Sequence, residues 1–252
     1  MNTKDLYNSQ ASDWARNEPI LLSDYSARPF VIDLCEPTIG KRILDIGCGE
    51  GYVGRKIAIA GAKHVHGIDI SEKMIEAAIA NQVSSGLENL SYEVQDIRNA
   101  ELTAVESYDI VLGMFLFNYL SVEDTHLVMK KAFDVIKPGG YFIFSVPHPF
   151  LAFLKKDKYP FYFEAQNGYF SGRNILFPGE IWRRDGVSVN VQCIHKTFED
   201  YFKGLNDSGF TTIAEVYELK ITEEQFKLDP AFFGPLMDYP LHVAFKIKKQ
   251  DK

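Results

Sequence analysis

RILDIGCGEGYVG, residues 42–54, sets a short apolar run against a turn holding Gly47, Gly49, Gly51 and Gly54. Read from Gly49, the stretch is G-x-G-x-x-G, the spacing that seats a dinucleotide pyrophosphate at a helix N-terminus. Read from Asp45, it is D-x-G-x-G-x-G. Glycines at such a turn permit positive φ and remove Cβ atoms where a ligand meets the backbone. Asp45, at the strand end, is awkward beside a pyrophosphate but suits an ammonium, held directly or through water.

Outward from the turn, the order is regular. KRILDI reads as a strand, VGRKIAIAG as a helix, HVHGIDI as a strand and SEKMIEAAIANQVSSG as a helix with Ser71 as its N-cap. LSYEVQDI and YDIVLGMF read as strands, VEDTHLVMKKAFDVIK as a helix stopped by Lys137-Pro138-Gly139-Gly140 and a tight turn, and GGYFIFSV as a fifth strand. Strands alternating with helices imply right-handed crossovers and a parallel sheet covered on both faces, an α/β doubly wound fold. Helical segments around 7–17 and 24–35 precede it, and residues 1–40 are expected to form a helical cap ahead of a single domain over 41–252. Residues 147–185 are rich in Pro, Gly and aromatic rings without a clean period, which marks a lid on the substrate side extending to about 195. VSVNVQCIHK alternates like an antiparallel strand, KTFEDYFKGLNDSGF is an amphipathic helix ending at Gly209, and TTIAEVYEL and LHVAFKIKK read as two last strands.

Composition narrows the function. The 252 residues carry a formal charge of −7, unlike a chain whose main partner is a phosphate backbone. Three cysteines, Cys35, Cys48 and Cys193, make no C-x-x-C pair, so neither a disulfide framework nor a zinc site is expected. His64 and His66 lack a third ligand, so no metal is predicted. The N-terminal stretch has no apolar signal core, and IVLGMFLFNYL is too short for a membrane span. A cytoplasmic protein acting on a small molecule, without nucleic acid or membrane, is the expectation. The sequence does not fix its oligomeric state.

In open parallel sheets the ligand lies across the carboxyl ends of the strands. An acid closes each of the first three: Asp45, Asp69 and Asp96. Asp69 can accept both ribose hydroxyls, as in NAD enzymes; Asp96 can accept the exocyclic amine of adenine while Ile97 offers an apolar face. An amino-acid head, a ribose and an adenine in succession describe S-adenosylmethionine better than a dinucleotide.

With these residues in place, the stretch from 41 to about 145 resembles the class I S-adenosylmethionine-dependent methyltransferases. LDIGCGEG, GIDIS, QDI, YDIVLGMF and KPGGYFIFSV match five of that family's motifs in order. The resemblance implies a Rossmann-like methyltransferase fold, a seven-stranded, mostly parallel sheet with a reversed last strand, and S-adenosylmethionine as cofactor. It implies that Gly47, Cys48, Gly49 and Gly51 face the methionine part, Asp69 and Ile70 the ribose, Asp96 and Ile97 the adenine, and Met114 and Phe115 the sulfonium. The [ND]-P-P-[YFW] tetrad of nucleic-acid and glutamine methyltransferases is replaced by GMFLFNYL. The later stretch, SVPHPF with IWRRDGVSVNVQCIHKTFEDYFKGLNDSGF, resembles small-molecule N- or O-methyltransferases of quinone and secondary-metabolite pathways.

A methyl acceptor then sits under the cap and lid, against Tyr7, Trp14, Tyr25, Asn118, His148, Tyr169 and Trp182. His148, directly after the fifth strand and between two prolines, is the candidate base, since a histidine titrates near neutrality. Arg28 is a candidate for steadying a carboxylate. The patches KKDK (155–158) and Arg183-Arg184 read mainly as solvated surface. The competing readings are an NAD(P)-dependent oxidoreductase, an RNA methyltransferase and a non-catalytic partner protein that keeps the cofactor fold.

Overall fold

The structure, a computed structural model, describes residues 2–16, 18–102, 105–154 and 157–251; Lys155 and Lys156 of the KKDK patch lie outside them. Four short helices come first: α1 (Thr3–Ser9), α2 (Ala11–Trp14), α3 (Leu22–Ser26) and α4 (Arg28–Leu34). Then follow β1 (Arg42–Ile46), α5 (Tyr52–Ile59), β2 (His64–Asp69), α6 (Glu72–Ser85), β3 (Leu90–Val94), β4 (Tyr108–Met114), α7 (Val122–Val135) and β5 (Ile136–Pro147). Next are β6 (Phe161–Phe163), β7 (Leu176–Trp182), β8 (Ser188–Ile194), α8 (Phe198–Ser208), β9 (Glu215–Leu219), α9 (Glu223–Leu228), α10 (Pro230–Phe233) and β10 (His242–Lys248).

The main sheet has the order β3-β2-β1-β4-β5-β10-β9. Only β10 runs against its neighbours, so the expected reversed last strand is present. The period-2 geometry of a strand explains why these segments are apolar almost throughout. Leu44, Ile46, Val111, Phe142, Phe144, Val243 and Phe245 pack against α7 and α8 on one face. Ile43, Ile110, Leu112, Ile143 and Ala244 pack against α4 and α5 on the other.

Local signals worked where side chain and backbone agree. Ser71 caps α6 by accepting from Met74 N at 3.1 Å, and Gly209, with φ +110, closes α8. Lys137-Pro138-Gly139-Gly140 follows the end of α7 at Val135, as expected of a helix stop, but its turn departs from expectation. Instead of a free turn it is a bulged start of β5: pairing slips from Tyr108 opposite Ile136 to Ile110 opposite Tyr141, and Gly139 N donates to Lys249 O at 2.9 Å. The segment 147–185 is also more ordered than its composition suggests. It contributes β6 and β7, which with β8 form a second, three-stranded antiparallel sheet. Pro178 and Gly179 inside β7 hide its period. Helices α9 and α10 occupy a stretch the sequence left unread.

The second sheet and the first helices share a third core that includes Trp14, Leu22, Leu151, Phe163 and Val191. They are also stitched by polar bonds. Gln10 exchanges two hydrogen bonds with the Asn190 backbone, at 2.9 and 3.2 Å, and Arg183 Nη1 donates to Asp13 O at 2.7 Å. Among the described residues no helix is long and apolar enough to cross a membrane.

Phe144 is fully buried, stacked 4.6 Å from Phe245 and edge-on to Phe117. Phe144→Ala is expected to lower the unfolding free energy by about 3–5 kcal/mol, read from the midpoint of a urea titration.

Candidate active site

Between the carboxyl ends of β1–β4, the N-terminal helices and the second sheet lies a cleft of about 590 Å³, within the range of roughly 300–1,000 Å³ typical of small-molecule sites. Ten of the expected cofactor residues line it: Asp45, Gly47, Cys48, Gly49, Asp69, Ile70, Asp96, Ile97, Met114 and Phe115. Gly51 does not. It supports the turn from behind, with φ +77 and a Cα against which any Cβ would collide with the Tyr92 hydroxyl. Gly54, inside α5, packs against Val65.

The three acids are held differently. Asp69 caps the turn: its two oxygens accept from Gly49 N and Ser71 N, each at 2.9 Å. Burial pushes its carboxyl up, and those backbone bonds offset part of the rise. Asp96 already carries a bidentate partner, with Arg98 Nη2 at 2.7 Å, and this bond holds it below the usual carboxylate range. Asp45 is 2% exposed, and among the described residues neither of its oxygens has a hydrogen-bond partner. Burial, then the Asp69 charge, raises it from its ordinary 3.8 to about 7 against the opposing pull of Arg28. A buried carboxylate without a donor is costly. A cationic ligand in the cleft removes that cost.

A buried charge network, which the sequence reading missed apart from Arg28, closes this end of the cleft. Arg16 forms a fork on Asp24 at 2.8 and 2.9 Å and reaches Glu50 of the glycine turn at 3.2 Å. Arg28 also pairs with Asp24, at 2.9 Å, and Glu50 is held from behind by Arg55 at 2.8 Å. Burial pushes the Asp24 carboxyl up, but Arg28 and Arg16 outweigh it and hold the group below its ordinary value. Glu50 sits inside the matched motif, yet nothing local announces that its second partner, Arg16, comes from the N-terminal segment.

On the acceptor side the expected residues divide. Tyr7, Trp14 and Asn118 line the cleft. The Tyr7 and Tyr119 hydroxyls are hydrogen-bonded, while Trp14 Nε1 and Asn118 Oδ1 are buried without partners among the described residues. Tyr25, His148, Tyr169 and Trp182 are not in its wall. Tyr25 packs edge-on to Phe233 and bonds Pro19 O and Arg184. Tyr169 stacks on Phe150, and Trp182 lies against Tyr159 and Tyr162. His148 is turned to β9, where its Nε2 meets Glu218 at 2.9 Å while its Nδ1 accepts from Phe150 N at 3.2 Å. The histidine in the wall is His242, at the start of β10.

A sheet of this order with a glycine turn and an unpartnered acid at β1 defines a Rossmann-like, S-adenosylmethionine-dependent methyltransferase. The chain belongs to the methyltransferase-domain family, whose profile matches residues 38–167. It is 35% identical over 189 residues to an aklanonic acid methyltransferase of Streptomyces sp. (strain C5), covering 73% of this chain and 81% of the relative. It is 30% identical over 158 residues to a ubiquinone biosynthesis O-methyltransferase of Neisseria meningitidis, covering 60% of this chain and 62% of that one. The fold matches an S-adenosylmethionine-dependent methyltransferase structure from Mesorhizobium loti with a TM-score of 0.64 at 24% identity, over 87% of this chain and 96% of that one. The protein is therefore an enzyme, and S-adenosylmethionine is its methyl donor.

Because the folded pKa of Asp45 lies above its unfolded value, the folded chain holds more protons between about pH 4 and pH 7, and this group's contribution to stability falls as pH rises through that window. Asp45→Asn is expected to stabilise the ligand-free chain by about 1–3 kcal/mol at pH 8 and to weaken S-adenosylhomocysteine binding about 10–100-fold, measured by chemical denaturation and by calorimetry.

Proposed function

We propose that the enzyme transfers the methyl group to an oxygen of a small, flat, largely apolar metabolite by in-line displacement. The observation that carries this reading is the continuity of the cleft. From the acids at the strand ends it runs into a chamber walled by Trp14, Leu151, Phe161, Phe163, Ile181 and Val191. That chamber matches ring systems rather than a chain of phosphates, and the small-molecule O-methyltransferase among the relatives supports the choice of oxygen.

S-adenosylmethionine supplies a methyl group on a positively charged sulfur. In the proposed arrangement Asp45 takes the ammonium of its methionine part, Asp69 the ribose hydroxyls, and Asp96 with Ile97 the adenine edge. Met114 and Phe115 flank the reacting centre. Phe115 holds φ +56, an unusual conformation for a bulky residue, and its N–H donates to Ser145 O at 2.8 Å. The N-terminal helices and second sheet exclude water and align the acceptor, the main demands of this displacement. Trp14 Nε1 and Asn118 Oδ1 offer one donor and one acceptor to the polar edge of the bound ring. Residues 1–40 serve as the cap and 147–195 as the substrate-side lid in this reading.

The test supplies S-adenosylmethionine with hydroxylated aromatic carbonyl compounds, aromatic carboxylic acids and transcribed RNA, and follows product mass. Methylation of a hydroxyl is the expected result; methylation of RNA alone, with binding that weakens steeply in salt, contradicts the proposal. Trp14→Phe, which keeps the apolar bulk and removes the N–H, is expected to raise KM for the acceptor about 3- to 10-fold while leaving S-adenosylhomocysteine affinity unchanged.

A further inference from the structure

His242 lies in the cleft wall, 6% exposed, at the first position of β10. Because β10 alone is reversed, its first residue arrives at the carboxyl edge of the parallel strands, where it pairs with Pro147 of β5 and Leu219 of β9. Its Nδ1 is 3.0 Å from Ser26 Oγ, which is itself 3.0 Å from the carbonyl oxygen of Leu22. A serine has a single hydroxyl proton. If that proton pointed to the ring, Ser26 Oγ and Leu22 O would face each other without a hydrogen between them. The proton therefore goes to Leu22 O, Nδ1–H of His242 donates to Ser26, and Nε2 keeps its lone pair. Among the described residues no hydrogen bond engages Nε2.

The surroundings place this ring beside Phe115, which the proposed arrangement puts at the sulfonium. The Phe115 ring lies 5.0 Å from the imidazole at 61°, and the Arg28 guanidinium covers the same Phe115 ring at 5.3 Å. The titratable groups facing His242 are Arg28 from α4 and His148 after β5, the latter paired with Glu218 of β9. Burial first, then these charges, push the imidazole down to about 3. The ring is therefore unprotonated near neutral pH with the Nε2 lone pair open, at the cost of a low proton affinity in the ligand-free chain.

We propose that His242 is the catalytic base, its Nε2 receiving the proton of the acceptor hydroxyl as that oxygen bonds to the methyl carbon. The assignment rests on the O-methylation reading above. The C–S bond breaks with its electron pair passing to sulfur, the O–H pair stays on oxygen as the new O–C bond forms, and the proton moves to Nε2. Positive charge reaches the ring as the sulfonium charge is lost, so the cavity gains no net charge. Arg28 favours negative charge developing on the attacking oxygen. Afterwards the proton leaves to solvent as the product departs.

Two measurements on the full chain decide it. In the first, chains with ¹⁵N-labelled histidine are saturated with S-adenosylhomocysteine near neutral pH, and His242→Gln identifies the signal. A proton on Nδ1 with a bare Nε2 supports the proposal; a proton on Nε2 overturns it. In the second, methyl transfer to 1,8-dihydroxyanthraquinone is followed against pH. The expected results are a rate nearly flat between about pH 6 and pH 8 for the natural chain, and for His242→Gln a kcat/KM lower by about 10²–10⁴-fold. The variant rate then rises about tenfold per pH unit as the ionised acceptor takes over, with S-adenosylhomocysteine affinity retained. Equal rates, or parallel pH profiles with only a uniform loss, overturn a role as base. If the natural chain binds S-adenosylhomocysteine but methylates no hydroxyl compound, the O-methylation reading fails by itself, and the ring tautomer still decides whether His242 is poised as a base.

Discussion

A buried carboxylate with no hydrogen-bond partner among the described residues is the constraint around which this enzyme is arranged. Asp45 lies near the carboxyl end of β1, between β2 and β4, and its backbone is fixed by pairing on both sides. The glycine turn that follows leaves no side chain to answer it, and the Asp69 charge raises its proton affinity further. The fold tolerates the cost because the same geometry opens a cleft in which a cation can be bound. Stability is given up at the point where binding is gained, as is common at functional sites.

The rest of the site follows from closing that cleft. Arg16, after α2, and Arg28, at the start of α4, meet Asp24 and Glu50 in a buried network, so the N-terminal segment and the glycine turn are held by charges that water cannot easily screen. Breaking one partner in such a network leaves an uncompensated buried charge, at about 3–5 kcal/mol. The roof is continued by the second sheet, which shares its core with the same helices. The two ends of the cleft are therefore built from different parts of the chain: the parallel sheet supplies the acids, and the segments outside it supply the apolar chamber.

This division explains what the sequence disclosed. Strand, turn and helix in the first half are local patterns, so RILDIGCGEGYVG and the acids at 45, 69 and 96 could be placed on one sheet edge before any coordinates. Asp45 was separable from a dinucleotide motif because a charge at that point selects against pyrophosphate. The acceptor side depends on pairings across long separations. His148 follows β5 as a catalytic residue should, yet the loop leaves toward Glu218 and turns the ring away from the cleft. His242 carries no motif. Its position follows only from topology, since the first residue of a reversed strand reaches the ligand edge. Glu50 lay within a recognised motif, but its role required knowing that Arg16 folds back over it. Tyr25 and Trp182 pack against the third core and Tyr169 against Phe150, Phe153 and His195, and composition alone does not tell such rings from those facing a ligand.

The central claim is that the cleft is organised to place a cation against Asp45. It is tested most directly by following the Asp45 carboxyl carbon by NMR across pH, with and without saturating S-adenosylhomocysteine. The account predicts a titration near pH 7 in the ligand-free chain that moves to clearly lower pH when the ligand's ammonium is bound. A titration midpoint that stays in place on saturation would contradict it.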